Sequence, residues 1–157
     1  MKLRQYKPYD RGKLWKLFFD TVHSINAKDY TDEQLNAWAP KDTDGLAWEK
    51  SHITAETVVA FDGDEIIGFG YIDAKAGYLD LLYVHKDHIG KGIGTAICNE
   101  LEKRSRSNVI TTHASITAKP FFEKRGYTIV KDNDVERNGV VLRNYMMKKT
   151  LDILSIL

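Results

Sequence analysis

Residues 88–95 read His88-Ile89-Gly90-Lys91-Gly92-Ile93-Gly94-Thr95. Three glycines at alternating positions lie between an apolar run and a stretch with helical spacing. Ordering glycine costs backbone entropy, so three together ask for a reason. One reason is electrostatic. The first turn of a helix leaves N–H groups without partners, and the helix dipole adds partial positive charge there. Glycines remove the side chains that block approach, and Lys91 adds a charge. Such a place suits an anion, phosphate above all. The other reading is a tight loop with a helix cap. Two nucleotide motifs fit poorly. The pattern G-x-G-x-x-G needs glycine where the chain has Ile97 or, in the earlier register, Thr95. The phosphate loop of nucleotide hydrolases needs Gly-Lys-Ser/Thr, but here Thr95 follows Gly94 directly.

Two further residues stand out by type. Asp80 is a charge inside the apolar run of residues 78–84, which is costly unless it is paired or functional. A salt-bridged aspartate at a strand edge is the competing account. His113 closes a strand-like segment, and a neutral imidazole there can accept a proton. A hydrogen-bonded strand histidine explains it equally well. Cys98 is the one cysteine, so an internal disulfide and a cysteine-based zinc site are both excluded.

The elements that must position these residues follow from periodicity. Residues 2–6 alternate and read as a strand. Pro8 and Asp10 open a helix whose stripe is Leu14, Leu17, Phe18, Val22 and Ile25. Thr31-Asp32-Glu33-Gln34 starts a second, short helix that ends near Pro40. Residues 44–52 are a further candidate helical stretch. Strands follow at 57–61, 66–73 and 78–84, the last with a continuous apolar end that suits a strand covered on both faces. A helix at about 92–105 buries Ile93, Ala96, Ile97 and Leu101. Residues 109–113 form a strand and 117–124 a short helix stopped by Gly126. Strands 127–135 and 140–147 pair around Asn138-Gly139, a strong hairpin signal. The expected order is β-α-α-β-β-β-α-β-α-β-β, a mixed α/β sheet of about seven strands with helices on both faces. The domain spans residues 1–150, with an apolar tail at 151–157.

Length and composition agree with one domain. The chain has 157 residues, 43% hydrophobic and 29% charged. With 23 basic and 22 acidic residues, the net charge of +1 argues against nucleic acid or a membrane surface as a partner. No apolar run reaches the ~18 residues of a membrane span, and the N-terminal residues lack the apolar core of a signal peptide. A cytoplasmic location is the expectation.

With the elements in order, the glycine segment resembles the acetyl-CoA loop of the GNAT superfamily of N-acetyltransferases. That loop reads Gln/Arg-x-x-Gly-x-Gly/Ala; here it is Ile89-Gly90-Lys91-Gly92-Ile93-Gly94, with Ile89 departing from Gln/Arg. A second motif, Asn-x-x-Ala-x-x-Phe-Tyr-x-Lys-x-Gly-Phe, is matched in spacing from Ser115 through Ala118, Phe121, Phe122 and Lys124 to Gly126 and Tyr127. The resemblance covers nearly the whole chain. It is strongest to small, single-domain bacterial members with a similar segment at Ala37-Trp38-Ala39-Pro40.

The resemblance implies a fold, a co-substrate and a site. The fourth strand splays from the fifth, and the pantetheine arm of acetyl-CoA lies along Leu82, Tyr83 and Val84. The amides from Ile89 through Gly90, Lys91, Gly92, Ile93 and Gly94 to Thr95 meet the diphosphate, and Ser115, Phe121, Phe122 and Lys124 flank the cofactor. No metal is implied. The reaction implied is acetyl transfer to a primary amine of a small molecule, by direct attack in a ternary complex. Cys98 lies on the buried side of its helix and reads as core. The family's leaving-group acid is the tyrosine of Phe-Tyr-x-Lys, and here that position is Phe122. A phenyl ring cannot donate a proton, so Ser115 and Tyr127 are the alternatives. The family's base positions fall on Tyr78 and Asp80, and strict alternation puts residues 78, 80 and 82 on one face. His113 is the other candidate base. His23, Tyr30, Trp38 and Tyr145, with Asp80, are candidates to line the acceptor site, although aromatics there are more often core. A homodimer is common in the family. The missing acid leaves a second reading open, a non-catalytic acyl-CoA-binding or regulatory protein. Acetylation of a protein amine is a third.

Overall fold

The computed structural model describes residues 1–152, so residues 153–157 of the expected tail lie outside the described residues. Seven strands form one mixed sheet among the described residues, in the order β1-β2-β3-β4-β5-β7-β6. They are β1 (Lys2–Gln5), β2 (Val58–Asp62), β3 (Glu65–Asp73), β4 (Tyr78–Val84), β5 (Val109–Ser115), β6 (Thr128–Arg137) and β7 (Val140–Thr150). All neighbours are antiparallel except β4 and β5, which run parallel. The helices are α1 (Lys13–Ser24), α2 (Asp32–Trp38), α3 (Gly45–His52), α4 (Ile93–Arg104) and α5 (Lys119–Lys124). The stretch at residues 44–52 is therefore a third helix before β2, one more than the expected order counted. Asp44 starts it by accepting from the N–H groups of Leu46 and Ala47.

Two cores flank the sheet. Ile93, Ile97 and Leu101 of α4 pack with Ile72, Leu79, Ile110 and Met147 on one face. Leu14, Leu17, Phe18 and Val22 of α1 pack with Leu35, Val59, Phe69 and Leu142 on the other. Helix α4 comes unusually close because β3 presents Gly68 and Gly70 to it. A Cβ on Gly70 would stand 2.8 Å from Ile97 Cγ2 and 3.0 Å from Leu101 Cδ1.

Helix α1 begins later than its periodicity suggests. Pro8–Asp10 is a separate 3-10 turn. Both Asp10 oxygens are taken by Arg4, at 2.7 and 2.8 Å, and by the Lys7 N–H at 2.8 Å, so Asp10 cannot cap α1. Gly12 turns the chain with φ of 89°. The buried carboxylate of Glu49, from α3, then accepts from the N–H groups of Gly12 and Leu14. A charge from a different helix thus satisfies the positive end of α1.

Helix α2 has the capping box its sequence announced: Thr31 Oγ1 accepts from Gln34 N–H, and Gln34 Oε1 accepts from Thr31 N–H. Gln34 Nε2 also reaches the Val141 carbonyl at 3.0 Å. Asn138 and Gly139 both take positive φ, at 50° and 80°, as the two-residue hairpin requires. Asn138 Nδ2 donates to the Ala37 carbonyl at 2.8 Å. Helix α2 and the β6–β7 hairpin are therefore tied together, and the seam closes one side of the cavity described next.

Candidate active site

Strands β4 and β5 pair only at Tyr78–Thr111 and Leu79–Thr112. Thr112 Oγ1 donates to the Leu79 carbonyl at 2.8 Å, at the last point of contact. Beyond it the strands part, and the opening leads into a cavity of about 660 Å³. The parted strand leaves backbone groups free. His85 N–H bonds to the Ile67 carbonyl, so in the alternating antiparallel ladder the Phe69–Tyr83 pair is hydrogen-bonded and the flanking pairs are not. The N–H groups of Leu82 and Val84 consequently point away from β3, toward the opening. Thr21 Oγ1 donates to the Val84 carbonyl at 2.9 Å and fixes the strand end.

The glycine segment follows immediately. Gly90 and Gly92 take φ of 79° and 80°, and a Cβ on either would meet nothing within 4 Å, so the space outside them is open. Gly92 is the N-cap of α4, and the first intrahelical bond runs from Ala96 N–H to the Gly92 carbonyl. Among the described residues, no N–H from residues 89–95 donates to a protein acceptor. Gly94 serves a different purpose. A Cβ there would lie 3.3 Å from the Phe121 ring, so this glycine admits the aromatic of α5. Lys91 and Ile89 are exposed.

Strand β4 carries a bulge at Asp80. Leu81 pairs with Tyr71 while Leu79 pairs with Ile72, which leaves Asp80 unopposed. Leu79 and Leu82 both join the α4 core, whereas Leu81 and Tyr83 join the α1 core. Residues 78, 80 and 82 therefore do not share a face. Tyr78 and Asp80 border the cavity on the α1 side, and Leu82 packs toward α4. Asp80 has no ion pair among the described residues. Its surroundings push its carboxyl above the ordinary value: burial leads, with His52 and Arg137 opposing and Asp73 assisting. Tyr78 Oη lies 2.8 Å from His113 Nδ1, with their rings edge to face. Burial first and Asp80 second raise the Tyr78 phenol.

A model of the acetyltransferase (GNAT) domain matches residues 26–151. The chain belongs to the GNAT family of N-acetyltransferases. It is 31% identical over 148 residues to the uncharacterized N-acetyltransferase YafP of Escherichia coli, a match covering 94% of this chain and 95% of YafP. A crystal structure of a GCN5-related N-acetyltransferase from Rhodopseudomonas palustris superposes with a TM-score of 0.88 at 32% identity, covering 96% of this chain and 95% of that one. PaiA N-acetyltransferase from Thermoplasma acidophilum, solved in complex with coenzyme A, shares the fold at 19% identity and a TM-score of 0.68, covering 95% and 98%. The chain is thus an acyltransferase, with the mixed, open sheet that its element order implied.

Within this GNAT domain the expected site residues divide. Tyr30, Trp38, Tyr78, Asp80, Leu82, Tyr83, His113, Ser115 and Phe122 border the cavity. Several also hold the walls. Tyr30 Oη donates to the Arg143 carbonyl and accepts from Ile116 N–H. Ser115 Oγ accepts from Ala118 N–H at 3.0 Å at the start of α5, which leaves its own proton free. Phe122 is buried and stands edge to face on Tyr127.

Other candidates are not brought to the cavity. His23 Nε2 bonds to the Ala39 carbonyl at 2.7 Å and its ring packs on Phe19, so it fastens α1 to the end of α2. Tyr145 lies on the α4 and α5 face, with Lys119 Nζ 5.2 Å from its ring centre. Lys124 is exposed on the last turn of α5, away from the cavity lining. Tyr127 is unsuited as an acid, because its hydroxyl is buried and donates to Glu102 Oε2 at 2.9 Å. Burial and the Glu102 charge raise that phenol far above its usual value. Cys98 is in the α4 core, where burial pushes its thiol up to about 12.

The cavity also holds residues that the sequence did not mark: Trp48 and His52 of α3, and Arg137 at the hairpin tip. Their signals were faint. Trp48 and His52 sit in a polar helix, and Arg137 reads as an ordinary residue before a turn. Glu65, His85 and His88 also gather near the end of β4, with each His Nε2 within 3.6 Å of Glu65. His85 Nδ1 accepts from Asp87 N–H, so the neutral ring carries its proton on Nε2 and presents a donor, not a metal-ligating lone pair, to Glu65.

Proposed function

We propose that the protein transfers the acetyl group of acetyl-CoA to a primary amine of a small molecule, by direct attack with both substrates bound. The observation that carries this reading is the continuity of two features. The free amides of the Ile89–Thr95 segment follow directly on the parted end of β4, and the opening between β4 and β5 leads to a cavity bordered by an unpaired carboxylate, Asp80. The chain's groups fit acetyl-CoA. Amides around Gly90 and Gly92, with Lys91, suit its diphosphate, and the outward N–H groups of Leu82 and Val84 suit its pantetheine arm and thioester oxygen. Acetyl-CoA supplies an acyl group activated as a thioester.

The side chains then do the proton work. An ammonium must lose a proton before its nitrogen can attack. Asp80, in its carboxylate form at the cavity rim, takes that proton directly or through water. The Tyr78–His113 pair orients the amine beside it. Ser115, whose oxygen is already held by Ala118 N–H, directs its free proton to the departing sulfur. Phe122 walls the pocket and cannot act as an acid. Direct attack is favoured over a covalent acyl-enzyme because Cys98 is buried and its thiol stays protonated. The seam between α2 and the hairpin bounds the cavity, which suits a small amine better than a protein tail. Calorimetry with acetyl-CoA and a thiol-release screen of small amines test the proposal. Absence of acyl-CoA binding, or binding with no thiol release from any amine, refutes it.

A further inference from the structure

Arg137 borders the cavity at the end of β6, yet among the described residues its side chain forms no ion pair or hydrogen bond. Its neighbour in the hairpin, Arg143, is fully engaged by Asp134 at 2.6 Å and Asp132 at 3.0 Å. The charge of Arg137 is nevertheless felt inside the site. It acts on Asp80, Tyr78 and Tyr83, three cavity residues of β4. Asp80 and Arg137 do not form a salt bridge, so more than 4.0 Å separates their charged atoms. The Asn138–Ala37 hydrogen bond pins the hairpin tip and hence the backbone that carries Arg137.

One free carboxylate and one free guanidinium thus face a common space, with a gap between them. Both side chains are open to solvent at the cavity rim, so each is available to a ligand, and a guanidinium fork matches a carboxylate in geometry as well as charge. Other charged groups do not supply the partner. Glu136 also borders the cavity, but side chains alternate along β6, so it leaves the strand on the face opposite Arg137. His52 lies on the Asp80 side. Trp38 and Trp48, packed against the α1 core, offer apolar surface in the same cavity.

We infer that the acceptor is a zwitterion: a small amine that carries a carboxylate a few bonds from the reactive nitrogen, as an amino acid does. The amine lies at Asp80, the carboxylate at Arg137, and the apolar body against Trp38 and Trp48. Arg137 is then a specificity-determining residue. The inference rests on the proposed amine acetylation.

The test uses matched acceptors with saturating acetyl-CoA: phenylalanine with phenethylamine, tryptophan with tryptamine, and lysine with cadaverine. Thiol release is followed for the parent protein, R137Q and R137K. The amino acids should show kcat/KM at least about tenfold above their decarboxylated partners, the scale of a charge-assisted bidentate contact. R137Q should lower kcat/KM on the amino acids at least about tenfold more than on the partners, chiefly through KM. R137K should recover part of the loss, because it restores the charge without the fork. Turnover of the decarboxylated amines equal to or better than the amino acids overturns the zwitterion alone. So does an equal loss on both members in R137Q, which is what a structural role would give. No thiol release from any acceptor, with acetyl-CoA bound, overturns the amine reading and this inference with it.

Discussion

Replacing Gly70 by alanine tests whether the close approach of α4 to the sheet sets both stability and the site. The added Cβ would meet Ile97 Cγ2 at 2.8 Å, Leu101 Cδ1 at 3.0 Å and the Leu81 carbonyl oxygen at 3.0 Å. Ile97 and Leu101 are fully buried, and the carbonyl belongs to the neighbouring strand, so no neighbour is free to swing aside. The helix must lift by a few tenths of an ångström. Overpacking of this kind costs about 1–3 kcal/mol. Alanine also narrows the unfolded ensemble, which returns about 0.4–1 kcal/mol. A net destabilisation of about 1–2 kcal/mol is expected, or a Tm lower by about 2–8 °C for a chain of this size. Urea unfolding should show the same loss, with the slope unchanged. Because α4 carries the free amides of residues 93–95 at its N-terminus, lifting it should also weaken acetyl-CoA binding in calorimetry. A G70A protein that melts at or above the parent temperature refutes the packing argument. A lower Tm with unaltered acetyl-CoA affinity separates the fold from the site and refutes the second step.

Two further outcomes follow from the charged groups. Only ionised Asp80 can take a proton, so activity should rise with pH through its pKa. That rise should lie above the ordinary aspartate range, because burial raises the group. D80N should lower kcat by about 10²–10⁴ and remove this acid limb, whereas a rate within threefold of the parent takes Asp80 out of the mechanism. Glu102 concerns stability. Burial pushes its carboxyl up, but Arg125, Tyr127 and Lys149 outweigh that and hold it below the usual value. A depressed folded pKa gives stability that is present above the unfolded value and lost as pH falls through the folded one. E102Q should cost about 3 kcal/mol at neutral pH and show a shallower acid loss; equal acid profiles for the two proteins would contradict it.

Much of the fold was legible in local pattern. The stripe of α4, the capping box at Thr31, the apolar end of β4 and the Asn138-Gly139 turn each state their structure within a few residues. The co-substrate loop was legible for the same reason, since Gly90 and Gly92 act through their own backbone. The acceptor side was not, because its residues meet only through long-range contacts. Glu49 looks like a surface glutamate until Gly12 and Leu14 are brought to it. His23 and Tyr145 looked like pocket residues, but the Ala39 carbonyl claims one and the opposite face of the sheet claims the other. Arg137 gave no signal, because its place in the cavity depends on Asn138 reaching across to α2.

The bulge at Asp80 was the decisive feature that alternation could not reveal. In a regular strand, residues 80 and 82 share a face, so an inward Asp80 would bring Leu82 to the acceptor side and leave α4 without its contact. A bulge changes the phase of the strand by one residue. Tyr78 and Asp80 then stay on the α1 side, while Leu82 and Val84 turn to the α4 core. The same step takes the strand out of pairing with β5, because the parallel ladder ends at Leu79, the residue before the bulge. One extra residue thus does three things. It opens the strands, frees the outward N–H groups of Leu82 and Val84, and places a carboxylate at the mouth of the opening. An aspartate inside an apolar strand is tolerable there because the bulged position has no cross-strand partner and its side chain is exposed to solvent at the cavity rim.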